Sequence, residues 1–223
     1  MRVISVKESI FSNNDKTADE IRATLKAKGT FLLNVMSSPG SGKTTLLTAL
    51  LKNLKNRLKV VAMDVDIETD VDARRIADGA GIESVQIHNG GLCHIDADMV
   101  SEALAQANFD DCDLIVLENI GNLVCPAEFD TGAHLKVVLL ALPEGDDKPL
   151  KYSLMFSVAD AVVFTKTDTA KYFDFDVEKC KGYIRSLNPN AKVFAVSARS
   201  GEGVNEFADY LYGKYEEWKE GLK

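Results

Sequence analysis

The stretch Ser37-Ser38-Pro39-Gly40-Ser41-Gly42-Lys43-Thr44 constrains this chain more than any other. It lies between an apolar run at 31–36 and a helical pattern that continues from Thr45. Strand, glycine-rich loop and helix in that order are the setting of a phosphate-binding loop. Glycines let the backbone approach phosphate oxygens, and loop N–H groups with the helix N-terminus supply donors and a positive dipole end. Pro39, Gly40, Ser41, Gly42, Lys43, Thr44 and Thr45 are therefore the candidate phosphate-binding residues. Lys43 would reach the β- and γ-phosphates, and the Thr44 hydroxyl would hold Mg²⁺. Ser37 stands where such loops usually carry their first glycine. We read this as a loss of backbone freedom that Gly40 and Gly42 cover.

At 223 residues the chain suits one α/β domain spanning 1–223. A net charge of -8 argues against generic nucleic-acid or anionic-membrane binding. No apolar run approaches the roughly 20 residues of a membrane span, and the N-terminal stretch lacks a signal-peptide core. Four cysteines in a chain this long point to metal or core use in a reducing, cytoplasmic setting rather than to a disulfide framework.

Periodicity predicts a leading helix over 14–28, then strands at 31–36, 58–63, 84–87, 114–117, 135–142, 161–164 and 193–196. Helices are predicted after the phosphate loop to about 55, at 71–77, at 96–107, near 176–187 and over 203–219. Alternation of this kind gives a three-layer P-loop NTPase with a mostly parallel sheet flanked by helices.

Asp64 and Asp66 follow the predicted second strand. With period two they point the same way, towards the sheet end where ligands bind, so either could hold Mg²⁺. Glu68, Asp70 and Asp72 lie nearby and leave open a solvated acidic loop. Glu118 is expected to end its strand as a carboxylate behind Mg²⁺, with Gly121 close to a γ-phosphate. Lys43, Thr44, Asp66 and Glu118 are thus the catalytic candidates. Thr165-Lys166-Thr167-Asp168 matches the guanine-reading pattern Asn-Lys-x-Asp except at its first residue. An aspartate there accepts from N1–H and the 2-amino group of guanine, which adenine lacks. The Lys166 stem can lie over the base, and Ser197-Ala198 after the next strand would border the guanine oxygen. Thr165 in place of Asn is expected to cost loop order more than specificity.

A second chemistry lies in Gly90-Gly91-Leu92-Cys93-His94 and Asn122-Leu123-Val124-Cys125-Pro126. Both segments follow strands of one parallel sheet and so meet at one end. Cys93, His94 and Cys125 can converge as a soft-metal site for Ni²⁺ or Zn²⁺, open or completed by a second subunit. Asp98, one helical turn past His94, could add an oxygen. Cys112 and Cys180 have the surroundings of core thiols, and His88 and His134 those of structural residues.

With those residues in view, the sequence resembles the HypB family of hydrogenase nickel-incorporation GTPases. The strings that carry it are 38–44, Gly91-Leu92-Cys93-His94, Glu118-Asn119-Ile120-Gly121-Asn122-Leu123-Val124-Cys125-Pro126 and the run 144–152. The resemblance implies GTP and GDP as ligands, slow hydrolysis, GTP-favoured homodimers, and metal binding by Cys93, His94 and Cys125 near the dimer interface. It also implies a nickel-binding partner maturation protein and a [NiFe]-hydrogenase large-subunit precursor as the recipient. Residues 1–30 contain neither Cys nor His, so the N-terminal metal-storage motifs of some relatives are absent. Two alternatives remain: a metal-binding scaffold with structural GTP, and a related metallochaperone GTPase serving another metalloenzyme. No chemistry follows from 144–152 beyond an ordered, charged surface element.

Overall fold

In the computed structural model, residues 6–66, 69–107, 109 and 111–222 are described, with side chains from Phe11 onward. Glu68 of the acidic loop and residues 1–5 lie outside them. Seven parallel strands form one sheet in the order β3-β2-β4-β1-β5-β6-β7. They are β1 (Phe31–Ser37), β2 (Val60–Asp66), β3 (Glu83–His88), β4 (Leu114–Gly121), β5 (Leu135–Ala141), β6 (Ala161–Thr165) and β7 (Lys192–Ala195). Among the described residues no helix is long and apolar enough to cross a membrane.

Alternation along β1 divides the core. Phe31, Leu33 and Val35 pack against α2 (Lys43–Leu54) and α9 (Val204–Glu220). Leu32 faces α1 (Val6–Lys28) and α4 (Ala97–Ala107), while Met36 joins the cluster under α7 (Ser153–Ser157) and α8 (Val177–Leu187). α2 is held by Leu46, Leu47, Leu50, Leu51 and Leu54, all buried. Each such side chain is worth on the order of 1.5–3 kcal/mol relative to exposure. The remaining α-helices among the described residues are α3 (Val71–Ile76), α5 (Cys125–Glu128) and α6 (Lys148–Lys151).

Three boundaries that bear on the site differ from the sequence reading. α1 begins at Val6 rather than near 14. β2 runs to Asp66, so Asp64 and Asp66 lie in the strand rather than after it. β4 runs to Gly121, so Glu118 sits inside the strand. Polar residues at strand ends read as turn, but neighbouring strands hold them: Asp64 pairs with Glu118, and Ser37 with Gly121.

Candidate functional site

The phosphate loop leaves β1 in the middle of the sheet, with β4 on one side and β5 then β6 on the other. Gly40 and Gly42 have φ of 71° and 93°, a left-handed conformation that costs glycine little. Ser37 is more than a departure from pattern. Its buried Oγ accepts from Lys43 Nζ at 3.0 Å and from Ser41 Oγ at 2.5 Å, and donates to Ser38 O at 2.8 Å. Ser38 Oγ donates to Glu144, which also accepts from Ala141 N. The run 144–152 thus opens with a carboxylate that buttresses the phosphate loop, a role the sequence did not disclose.

Thr44 Oγ1 donates to Glu118 Oε1 at 2.8 Å. Glu118 Oε2 is buried with no hydrogen-bond partner among the described residues. Burial, then the neighbouring Asp64 carboxylate, push the Glu118 carboxyl up to about 8. Burial, with Asp72 and Asp66 nearby, pushes Asp64 up to about 7. Burial also lowers the Lys43 ammonium, against the pull of Glu118 and Asp64. Paired carboxylates, a threonine hydroxyl and an unsatisfied carboxyl oxygen form a hard-oxygen donor set suited to Mg²⁺. Asp64 is the aspartate beside Glu118. Asp66 is half-buried at the strand end, where its Oδ1 accepts from Thr69 N at 3.1 Å. A Cβ on Gly121 would lie 3.0 Å from the Pro39 backbone, so β4 passes tight against the phosphate loop at this glycine.

Beside the loop is a cavity of about 240 Å³ lined by Ser41, Gly42, Thr45, Lys166, Asp168 and Ala198, among others. Lys166 has φ of 58°, rare for a residue other than glycine. Two bonds hold it there: Lys166 Nζ donates to Gly40 O at 2.6 Å, and Thr165 Oγ1 donates to Ser41 O at 2.7 Å. The threonine that replaces asparagine therefore supplies a tether itself, contrary to the expected loss of loop order. Asp168 is exposed, and its Oδ1 accepts from Ser197 Oγ at 2.7 Å. The Ser197 hydroxyl thus orients the Asp168 carboxylate at the rim of this cavity.

At the same sheet end, Cys93 Sγ lies 2.9 Å from Cys125 Sγ and 3.8 Å from His94 Nδ1. The proton shared with Cys125 raises the Cys93 thiol. Asn122 links the two segments, its Nδ2 donating to Cys93 O at 3.1 Å and its Oδ1 accepting from Val124 N at 2.8 Å. The His94 ring lies flat on Phe129, with centroids 3.9 Å apart and planes at 8°. Among the described residues no three His, Cys, Asp or Glu side chains are gathered into a metal-binding group, and Asp98 is exposed on α4. The sulfurs have met; the imidazole stays on its stack.

The other thiols behave as core. Cys180 is fully buried, and burial pushes it up to about 12. Cys112 is buried with Sγ 3.9 Å from Phe109 O. His134 Nδ1 accepts from Leu32 N at 2.9 Å, and burial lowers it to about 4.

Comparison with known proteins agrees with this arrangement. Residues 31–195 match the model of the CobW/HypB/UreG nucleotide-binding domain. The chain is 46% identical over 210 residues to the hydrogenase maturation factor HypB of Azotobacter chroococcum mcd 1, covering 94% of this chain and 68% of that one. It is 38% identical over 218 residues to the hydrogenase/urease maturation factor HypB of Helicobacter pylori strain 26695, covering 96% of this chain and 89% of that one. The crystal structure of HypB from Helicobacter pylori in complex with nickel superposes with a TM-score of 0.85 at 38% identity, covering 92% of this chain and 96% of that one. This chain belongs to the HypB family of hydrogenase maturation factors and carries its nucleotide-binding domain.

Proposed function

We propose that this chain is a GTP-hydrolysing metallochaperone that binds nickel or zinc and assists nickel insertion into a [NiFe]-hydrogenase precursor. One observation carries the reading. Asn122 follows Gly121, which touches the phosphate loop, and it bonds to the carbonyl of Cys93, whose sulfur meets Cys125. A change at the γ-phosphate therefore has a short path to both thiols, along the chain to Cys125 and through the Asn122 hydrogen bond to Cys93. The nickel named with the Helicobacter pylori structure supports the same cargo.

Asp168 and the Ser197-Ala198 turn select guanine, and Lys166 lies against the phosphate loop. Lys43 and the loop N–H groups hold the phosphates. Thr44, Asp64 and Glu118 would hold Mg²⁺, with Asp66 at the rim. When bound, that ion neutralises charge on the phosphates. Burial holds the Glu118 carboxyl up at about 8, and a cation bound beside it would favour the carboxylate. Cys93 and Cys125 as thiolates, with the His94 Nδ1 that lies 3.8 Å from Cys93 Sγ, are the cargo ligands.

Leu150, Leu154, Tyr172 and Phe173 are large apolar side chains left exposed after β5 and β6. They support a GTP-dependent homodimer, in which thiols of two chains could meet. The partner maturation protein and the large-subunit precursor are proposed from the family, and a cytoplasmic setting from free thiols. The double name of the Helicobacter pylori relative favours a second reading, in which the recipient is another nickel enzyme. Multiple-turnover phosphate release, together with Ni²⁺ titration of GDP-bound and GTP-analogue-bound protein, tests the proposal. No turnover leaves a scaffold with structural nucleotide. Equal nickel affinity in both states removes the switch.

A further inference from the structure

Both thiol-bearing segments lean on α1. Asn14, 6% exposed, sits between their downstream ends. Its Oδ1 accepts from Ala97 N at 2.9 Å, where the Cys93-His94 segment enters α4. Its Nδ2 donates to Asp130 O at 3.0 Å, where the segment that begins at Cys125 ends. One buried amide therefore satisfies a backbone group from each. Arg22, about two turns further along the same face of α1, forms a salt bridge with Asp130. Gly132 then passes so close to α1 that a Cβ would come within 2.7 Å of Ile21.

Phe129 links this scaffold to the imidazole. It lies on the segment between Cys125 and Asp130, with the His94 ring flat against it. The Phe11 ring of α1 contacts Phe129, with centroids 5.3 Å apart. The stack fixes the imidazole plane, and in that plane Nδ1 is the nitrogen that faces Cys93 Sγ. A ligand ring is normally oriented by a second partner, most often a hydrogen bond to its other nitrogen, and loss of such partners costs metal affinity; here the stack on Phe129 sets the ring plane.

We propose that Asn14 and Phe129 are positioning residues of the soft-metal site. Asn14 keeps the two thiol segments in register, and Phe129 presents His94 with Nδ1 toward the sulfurs. The inference rests on the metal site proposed above. It gives α1, which carries no metal ligand, a defined part in metal binding.

The test uses the full chain, Co²⁺ as a spectroscopic probe of thiolate ligation, and Zn²⁺ in competition with a chromophoric chelator. Phe129→Leu keeps an apolar side chain but removes the flat ring. It is expected to weaken Zn²⁺ about 10-fold, within the 10–100-fold range for residues behind metal ligands. Phe129→Tyr, which keeps the ring, should restore affinity. In a His94→Ala background the Phe129→Leu loss should vanish, whereas an additive loss would overturn the role. Asn14→Ala should weaken Zn²⁺ with or without His94 and leave GTP binding unchanged. Asn14→Asp keeps only the bond from Ala97 N and should fall between. A parallel loss of GTP binding in both Asn14 variants would make the residue a general structural one. If the unsubstituted protein shows no thiolate-to-Co²⁺ absorption, the metal site falls and this inference with it. If it binds and every variant matches it, only the positioning roles fall.

Discussion

Ser37, Ser38, Ser41, Lys43 and Thr44 of the phosphate loop each have a side-chain partner, and all but one of the bonds arise inside the loop or from β4. The Cys93 loop presents the opposite picture. Its cysteine is exposed, Asn122 and Asn89 hold its carbonyls, and Leu92 and Val124 beside the thiols are 44% and 54% exposed. The difference follows the chemistry of each ligand. A phosphate chain needs its donors fixed in advance, because preorganised dipoles cost nothing to reorient during reaction. A cargo metal must arrive and leave, so its ligands sit on an accessible rim. On the function proposed above, one chain supplies the nucleotide cradle, whereas the thiol rim needs His94 or a second chain to complete it.

Lys43→Ala attacks the built side of this comparison and should have the largest effect. It removes the cation facing the transferring phosphoryl group, and kcat for GTP should fall by at least about 100–1000-fold. Phosphate release measures this. Nickel binding to the GDP-free protein should persist, and its loss would show that the two regions are not separable.

Cys125→Ala attacks the open side. Metal affinity should drop by more than about 100-fold, beyond the range for residues behind the ligands. Cys180→Ala should leave metal binding intact and instead lower thermal stability by opening a core cavity. Equal metal loss in both variants would move the site. Thiolate ligation also releases protons, so apparent metal affinity should rise with pH.

Gly121→Ala joins the two. Its Cβ would press on the Pro39 backbone, and overpacking of this kind costs about 1–3 kcal/mol. GTP affinity should fall, and the difference in nickel affinity between GDP and GTP-analogue states should shrink. Unchanged coupling would mean the path through Asn122 carries no signal.

The smallest effect concerns pH. Folding raises the Asp64 and Glu118 carboxyls to about 7 and about 8. The folded state thus holds protons that the unfolded chain has released. Their contribution to stability is present below about pH 4 and is lost as pH climbs through the folded values. In the absence of Mg²⁺ and nucleotide, Tm should therefore decline between about pH 5 and 8. Asp64→Asn should flatten the decline, and Mg²⁺ with GTP should reverse it. A Tm that rises over this range would exclude the charge pairing.

Much of this molecule follows from local patterns. The phosphate loop is a contiguous string, so its glycines, Lys43 and Thr44 were legible residue by residue, as were alternating strands and helices. Cys93 and Cys125 were legible as a pair because loops after strands of a parallel sheet must share an end. Other features depend on residues far apart in sequence. Asp64 and Glu118 became one acidic pair only through the β2–β4 register, which also drew both strands past their apolar stretches. Glu144 reached Ser38 across 106 positions, and Asn14 reached Asp130 across 116. No period or motif in the chain encodes such a pairing. Hydrophobic burial sets the strand order, strand order sets which polar side chains meet, and a polar group buried there must find a partner. That requirement, met only in the folded chain, ties Ser37, Glu144, Asn122 and Asn14 to the two loops.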